Sequence, residues 1–143
     1  MALFTRNATL LLMMLVLRYI AVREAKITVS ISNFLAESYE DIYNLDLTVH
    51  CKSKDDDLGA HVVRFLEDYE FRFNPNIWRT TLFHCTMAWP SRFHHFVIYD
   101  QSRDGGCILN NSYCVWRVID SGACQLKTLP DATEIWDCYP WND

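Results

Sequence analysis

Five histidines and a run of three aspartates are the residues of this chain best suited to chemistry. His84 and the pair His94-His95 fall on stretches expected to become neighbouring strands, and His50 adjoins Cys51. Two imidazoles, one giving and one taking a proton, are what ribonuclease chemistry requires. No lysine or further catalytic group stands at a spacing that would complete such a site. His84 also falls on the opposite face of its strand from Phe83 and Cys85, which points it away from the core. These are read as strand-face histidines, with no catalytic residue among them. Asp55-Asp56-Asp57 offers hard oxygen ligands, but a calcium loop alternates its ligands with other residues and closes on a glutamate, and this run does neither. It is read as a solvated turn, and no metal or cofactor is expected.

The six cysteines, Cys51, Cys85, Cys107, Cys114, Cys124 and Cys138, could bind zinc or form disulfides. None forms a close Cys-x2-Cys pair, and the N-terminus decides between the two readings. Arg6 precedes the apolar run TLLLMMLVL, Thr9–Leu17, which has signal-peptide length and is too short to span a bilayer. Ala21 and Ala25 are the candidate cleavage positions. Residues 1–25 are therefore read as a signal peptide, 26–143 as one secreted, extracellular domain, and all six cysteines as disulfide-bonded. Asn110-Asn111-Ser112 is a glycosylation sequon in an expected loop, placing a candidate glycan on Asn110. The mature part carries 10 basic and 17 acidic side chains, a net charge of −7. That balance disfavours a nucleic acid or an anionic membrane as partner.

The elements that position these residues are strands. Leu45, Leu47, Val49 and Cys51 alternate with polar residues, which predicts a half-buried strand over Leu45–Cys51. The same period predicts strands over Lys26–Phe34, His61–Leu66, Tyr69–Asn74, Thr80–Trp89, Phe93–Asp100 and Tyr113–Ile119, with two short ones near Cys124–Leu126 and Glu134–Cys138. Pro75-Asn76, Pro90-Ser91 and Gly105-Gly106 punctuate them. No helical stripe appears in 26–143. Many short strands with regular turns predict an all-β fold, a small disulfide-linked antiparallel β-sandwich.

At this point the chain resembles the plant self-incompatibility S-protein family, the S-protein homologues. The resemblance rests on VHCKSKDDDLG (49–59), YEFRF (69–73), TTLFHCTMAW (80–89), FVIYDQSRD (96–104), the Cys-x6-Cys-x-Trp run from Cys107 to Trp116, and the acidic-glycine turn Asp120-Ser121-Gly122. It implies a secreted β-sandwich held by two disulfides. It also implies a non-enzymatic ligand acting in cell–cell recognition through a cell-surface receptor, as the family's namesakes arrest self pollen. Cys124 and Cys138 exceed the four cysteines it implies and could form a third bridge. The alternative is a secreted enzyme such as a nuclease, or a defence protein.

If every strand reverses the one before it, connections alternate between two ends. Cys51 and Cys107 then lie at one end with Cys114 near them, and Cys124 and Cys138 lie at the other end and pair there. Cys85–Cys107 with Cys51–Cys114 is the pairing expected of the rest. Loops 52–60, 75–79 and 101–112 gather at one end, and Lys52, Lys54, Asp55, Asp56, Asp57, Arg79, Arg103 and Asp104 there are the expected receptor-binding residues of a monomer.

Overall fold

The computed structural model describes the chain except residues 1, 24–25, 37, 39, 41–43 and 108–111, together with the side chains of 20–23. Helix α1, Ala2–Arg23, is exposed along its described side chains and fits a signal peptide. The helix extends beyond the apolar run at both ends. Its Ala2–Tyr19 stretch is long and apolar enough to cross a membrane by length and composition, which corrects the expectation from nine residues alone.

Among the described residues nine strands follow: β1 (Ile27–Asn33), β2 (Leu47–Lys52), β3 (Asp57–Val63), β4 (Asp68–Phe73), β5 (Leu82–Trp89), β6 (Arg92–Asp100), β7 (Tyr113–Ile119), β8 (Gly122–Thr128) and β9 (Glu134–Pro140). One short helix among the described residues, α2 (Gln101–Asp104), interrupts them, capped by Asp100 on the Ser102 N–H. The strands form two sheets, ordered β4-β1-β7-β8-β9 and β3-β2-β5-β6. All pairings are antiparallel except β1 with β7, which is parallel. The all-antiparallel expectation fails there because β1 and β7 are separated by β2 to β6, most of them in the other sheet, and nothing local constrains their direction. The strand expected at His61–Leu66 begins instead at Asp57, and Gly59 takes φ 75°, which breaks the apparent turn into a bulged edge strand.

One apolar cluster draws on both sheets. Val29, Ile31, Trp116 and Val118 of the first meet Leu47, Val49, Phe83, Met87 and Phe96 of the second. Phe71 packs on Phe83 with centroids 5.1 Å apart, and Phe96 meets Trp116 edge-on at 5.2 Å. Asn33 joins the layers with polar contacts. It is fully buried, its Nδ2 donates to the carbonyls of Leu45 (2.8 Å) and Val63 (2.9 Å), and its Oδ1 accepts from the Leu35 N–H (3.0 Å). A buried amide with its valences filled in this way holds one geometry.

All six cysteines are bridged. Cys124–Cys138 is as expected. The other two bridges are Cys51–Cys85 and Cys107–Cys114, not Cys85–Cys107 and Cys51–Cys114. The expectation had bridges crossing between layers. In fact Cys51 and Cys85 stand directly opposite each other on the paired strands β2 and β5, as Cys124 and Cys138 do on β8 and β9, with Cα atoms 4.0 and 3.9 Å apart. Directly opposed residues already lie within bridging distance, so neighbouring strands compete successfully with the facing sheet.

After β9 the chain crosses to the edge of β6. The Asn142 N–H donates to the His95 carbonyl, Val97 N–H to Asn142 Oδ1, and His95 N–H to Asp143 Oδ1. Trp141 stacks on His94 at 4.8 Å, and His94 Nδ1 pairs with Asp143. Residues 142–143 thus satisfy part of an edge that would otherwise present an unpaired strand.

Candidate recognition surface at the loop end

Strand directions bring the β2–β3 turn, the β4–β5 loop and the connection after β6 to one end of the molecule. The Ser53 N–H donates to the Asp56 carbonyl (2.8 Å), and the Asp56 N–H returns to Ser53 Oγ (3.1 Å), closing a tight turn. In the β4–β5 loop Asn76 does the bracing. Its Nδ2 donates to Thr80 Oγ1 (2.9 Å), its Oδ1 accepts from the Thr80 N–H (3.0 Å), and its own N–H donates to Thr81 Oγ1 (2.8 Å). Gln101, opening α2, exchanges two bonds with the Thr81 backbone and donates through Nε2 to the Asn76 carbonyl (3.1 Å). Side chains therefore lock two of the three loops together, as Asn and Thr do in turns.

Between the turn and this loop lies a cleft of about 420 Å³. Lys54, Asp55 and Asp56 form one wall, and Asn74, Trp78 and His84 lie on the other. The Cys51–Cys85 bridge sits at the root of both walls, one residue below Lys52 and one above His84. Trp78 is 77% exposed and Ile77 64% exposed, although the loop beneath them is fixed. Neither was expected as a site residue from the sequence. The signal was there: an apolar pair inside a proline-punctuated loop has no strand alternation to bury it.

The expected receptor-binding residues divide. Lys54, Asp55 and Asp56 line the cleft, and among the described residues no hydrogen bond or ion pair holds their side chains. Asp57 belongs to β3 rather than the turn. It pairs with His50 (2.5 Å) and Lys52 (3.6 Å) and accepts from the Gly59 N–H. The His50 bond, then the Gly59 N–H, hold its carboxyl at about 2. Arg79 is exposed, with φ 57° at the end of the loop. Arg103 and Asp104 turn inward instead. The guanidinium bonds Asp104 (2.7 Å) and the Val97 carbonyl (2.9 Å) and lies over the Trp116 ring at 5.3 Å. The Asp104 side chain is 0% exposed and also accepts from the Asp100 N–H and from Gln125. Asp104 is thus enclosed beneath α2, whereas Arg103, committed to these contacts, keeps 28% of its side chain exposed. Tyr99 lies beside them, its hydroxyl donating to the Gly105 carbonyl. Burial first, then Asp104 and Asp100, push it up to about 12.

His50, His84 and His95 share the outer face of the second sheet, where His50 and His95 both pair with Thr86 on the strand between them. His84 and His95 are exposed on the outer face of the second sheet, His94 is tucked under Trp141, and His50 is tied to Asp57. His94 and His95 therefore face opposite sides of β6. Among the described residues no group of three His, Cys, Asp or Glu side chains is placed to hold a metal ion. Asn110 lies outside the described residues.

Comparison with known proteins agrees with the family resemblance read from the sequence. The family described as "Plant self-incompatibility protein S1" matches residues 28–141. S-protein homolog 5 of Arabidopsis thaliana is 45% identical over 96 residues, covering 67% of this chain and 68% of that protein. S-protein homolog 2 of the same plant is 38% identical over 123 residues, covering 82% and 70%. These relatives are named as S-protein homologues and not as enzymes. No solved structure matches the chain. With a family match spanning all nine strands and relatives at this identity, the chain belongs to the plant self-incompatibility S1 family, the S-protein homologues.

Proposed function

We propose that the protein is a secreted, non-enzymatic recognition ligand that loses its leader on export and binds a cell-surface receptor through the loop end of a two-layer β-sandwich. The observation that carries this reading is Trp78. A large exposed indole on a braced loop, beside the unpaired carboxylates of Asp55 and Asp56, has the composition of a binding hot spot with a polar rim. A solvated turn needs no such residue. The acidic balance and the bridged cysteines support an extracellular role without nucleic acid or membrane.

The test is saturable binding of fluorescently labelled mature protein to intact plant cells. Trp78→Ala is expected to weaken it about tenfold or more, with Tm unchanged. Asp120→Lys, at the opposite end, is expected to leave it intact. Equal loss in both variants would place the surface elsewhere.

A further inference from the structure

We infer that the loop-end cleft binds a neutral oligosaccharide, with the indole of Trp78 as the stacking platform and the side chains of Lys54, Asp55, Asp56, Asn74 and His84 as hydrogen-bonding partners. This deepens the loop-end reading above and rests on it.

A sugar ring has two kinds of surface, C–H groups on its flat faces and hydroxyls around its edge. A protein site for it needs an exposed aromatic face and a mixed set of donors and acceptors. The cleft has both. Trp78 stands 77% exposed and meets no other ring among the described residues, so its face is open. The loop holding it is fixed by the three Asn76 bonds and by Gln101, so the platform is oriented before a ligand arrives. Preorganisation of this kind lowers the entropic cost of binding.

The polar walls are unspent. Asp57, the third aspartate of the run, is consumed by His50, Lys52 and the Gly59 N–H. Asp55 and Asp56 have no such partner among the described residues, and their carboxylates accept hydrogen bonds only. Lys54 on the same wall donates only, and the Asn74 amide does both. Hydroxyls, which donate and accept, satisfy such a set. A guanidinium or ammonium from a basic peptide would meet Lys54 beside the carboxylates, and a phosphate or uronate would meet the two aspartates. At about 420 Å³ the cleft has the size of an ordinary small-molecule site, enough for a short stretch of sugar units and too small for a folded protein loop.

The experiment prints neutral plant cell-wall oligosaccharides (β-glucan, xylan, mannan, xyloglucan and arabinogalactan fragments) beside acidic oligogalacturonides, and probes them with the disulfide-intact mature protein. Retention on at least one neutral fragment is expected. Titration of that fragment should shift the Trp78 indole N–H resonance, and Trp78→Ala should weaken binding about tenfold or more with Tm unchanged. Asp55→Asn with Asp56→Asn should weaken it less, because amides still accept. No retention on any neutral fragment, or retention only on the acidic ones, overturns the inference. The cell-binding assay separates this failure from failure of the loop-end reading. Trp78-dependent binding abolished by protease and untouched by glycosidase means a polypeptide occupant and sinks the oligosaccharide alone. Cell binding that ignores Trp78→Ala sinks both.

Discussion

Removing the Cys51–Cys85 bridge is expected to cost more stability than removing either of the other two. The bridges span 34, 14 and 7 residues for Cys51–Cys85, Cys124–Cys138 and Cys107–Cys114. Loop-closure entropy removed from the unfolded chain then corresponds to roughly 3.8, 3.0 and 2.4 kcal/mol in that order. Cys51 and Cys85 are both fully buried, so the alanine pair also leaves a void in the core, adding ~1–2 kcal/mol. Cys107 is only half-buried and Cys138 is exposed, so their voids are smaller. Cys51→Ala with Cys85→Ala should therefore lose about 5–6 kcal/mol and lower Tm by roughly 15–25 °C for a domain of this size. Calorimetry of the three double-alanine variants side by side checks the order, with denaturant slopes to monitor the unfolded state. Equal losses, or the largest loss at Cys107–Cys114, would refute the loop-length argument. Unreduced peptide maps joining Cys51 to Cys114 would refute the pairing itself. Because the same bridge roots both cleft walls, its loss should also weaken cell binding at temperatures where the variant is still folded.

Three further outcomes follow from single positions. Asn33→Ala strands the carbonyls of Leu45 and Val63 and the Leu35 N–H, and should cost roughly 3–5 kcal/mol in urea unfolding; a loss under ~1 kcal/mol would mean that water replaces the amide. Gly122→Ala would place a Cβ 1.9 Å from the Tyr139 carbonyl oxygen, so β8 and β9 must part; secreted yield should collapse, and a variant as stable as wild type would contradict the close approach. Asp57 titrates at about 2 when folded and near 3.8 when unfolded, so the unfolded state takes up its proton first as pH falls. Its stabilisation is complete above about pH 4 and disappears on descending through about 2. Asp57→Asn should flatten the acid unfolding curve in that window, and a carboxyl NMR midpoint near 3.8 would contradict the His50 bond.

The strand-rich fold was legible because alternation is a local property. β2, β5 and β7 each bury the residues that the pattern selects. Pairing is not local. The parallel contact of β1 with β7 has no expression in either segment alone, and no residue at Cys51 announces that its partner is beside it in the sheet rather than across the core. Cys124–Cys138 was readable because consecutive strands were expected to reverse, and β8 and β9 do so, opposing each other directly. The candidate site was half legible. The charges of 53–57 drew notice by their density, whereas Asp104 looked equally exposed and is enclosed under α2, paired with Arg103. Charge alone does not reveal whether a neighbour will neutralise it. Trp78 went unnoticed because an aromatic residue is assumed to be inside until a structure leaves it out.

The placement of the Cys51–Cys85 bridge separates what folds the protein from what it displays. Both tips of the cleft, 53–56 and 75–81, lack cysteines and lie beyond the bridged strands that anchor them. Changes in their length that spare the Asn76 and Gln101 bonds cost little beyond loop entropy, about 0.6 kcal/mol for each doubling. Substitutions there do not reach the core. A gene family built on this scaffold can thus diversify its specificities at two short segments while every copy keeps the same oxidative folding route. Kinship among its members would then be written in the strands, and individuality in a dozen residues at one end.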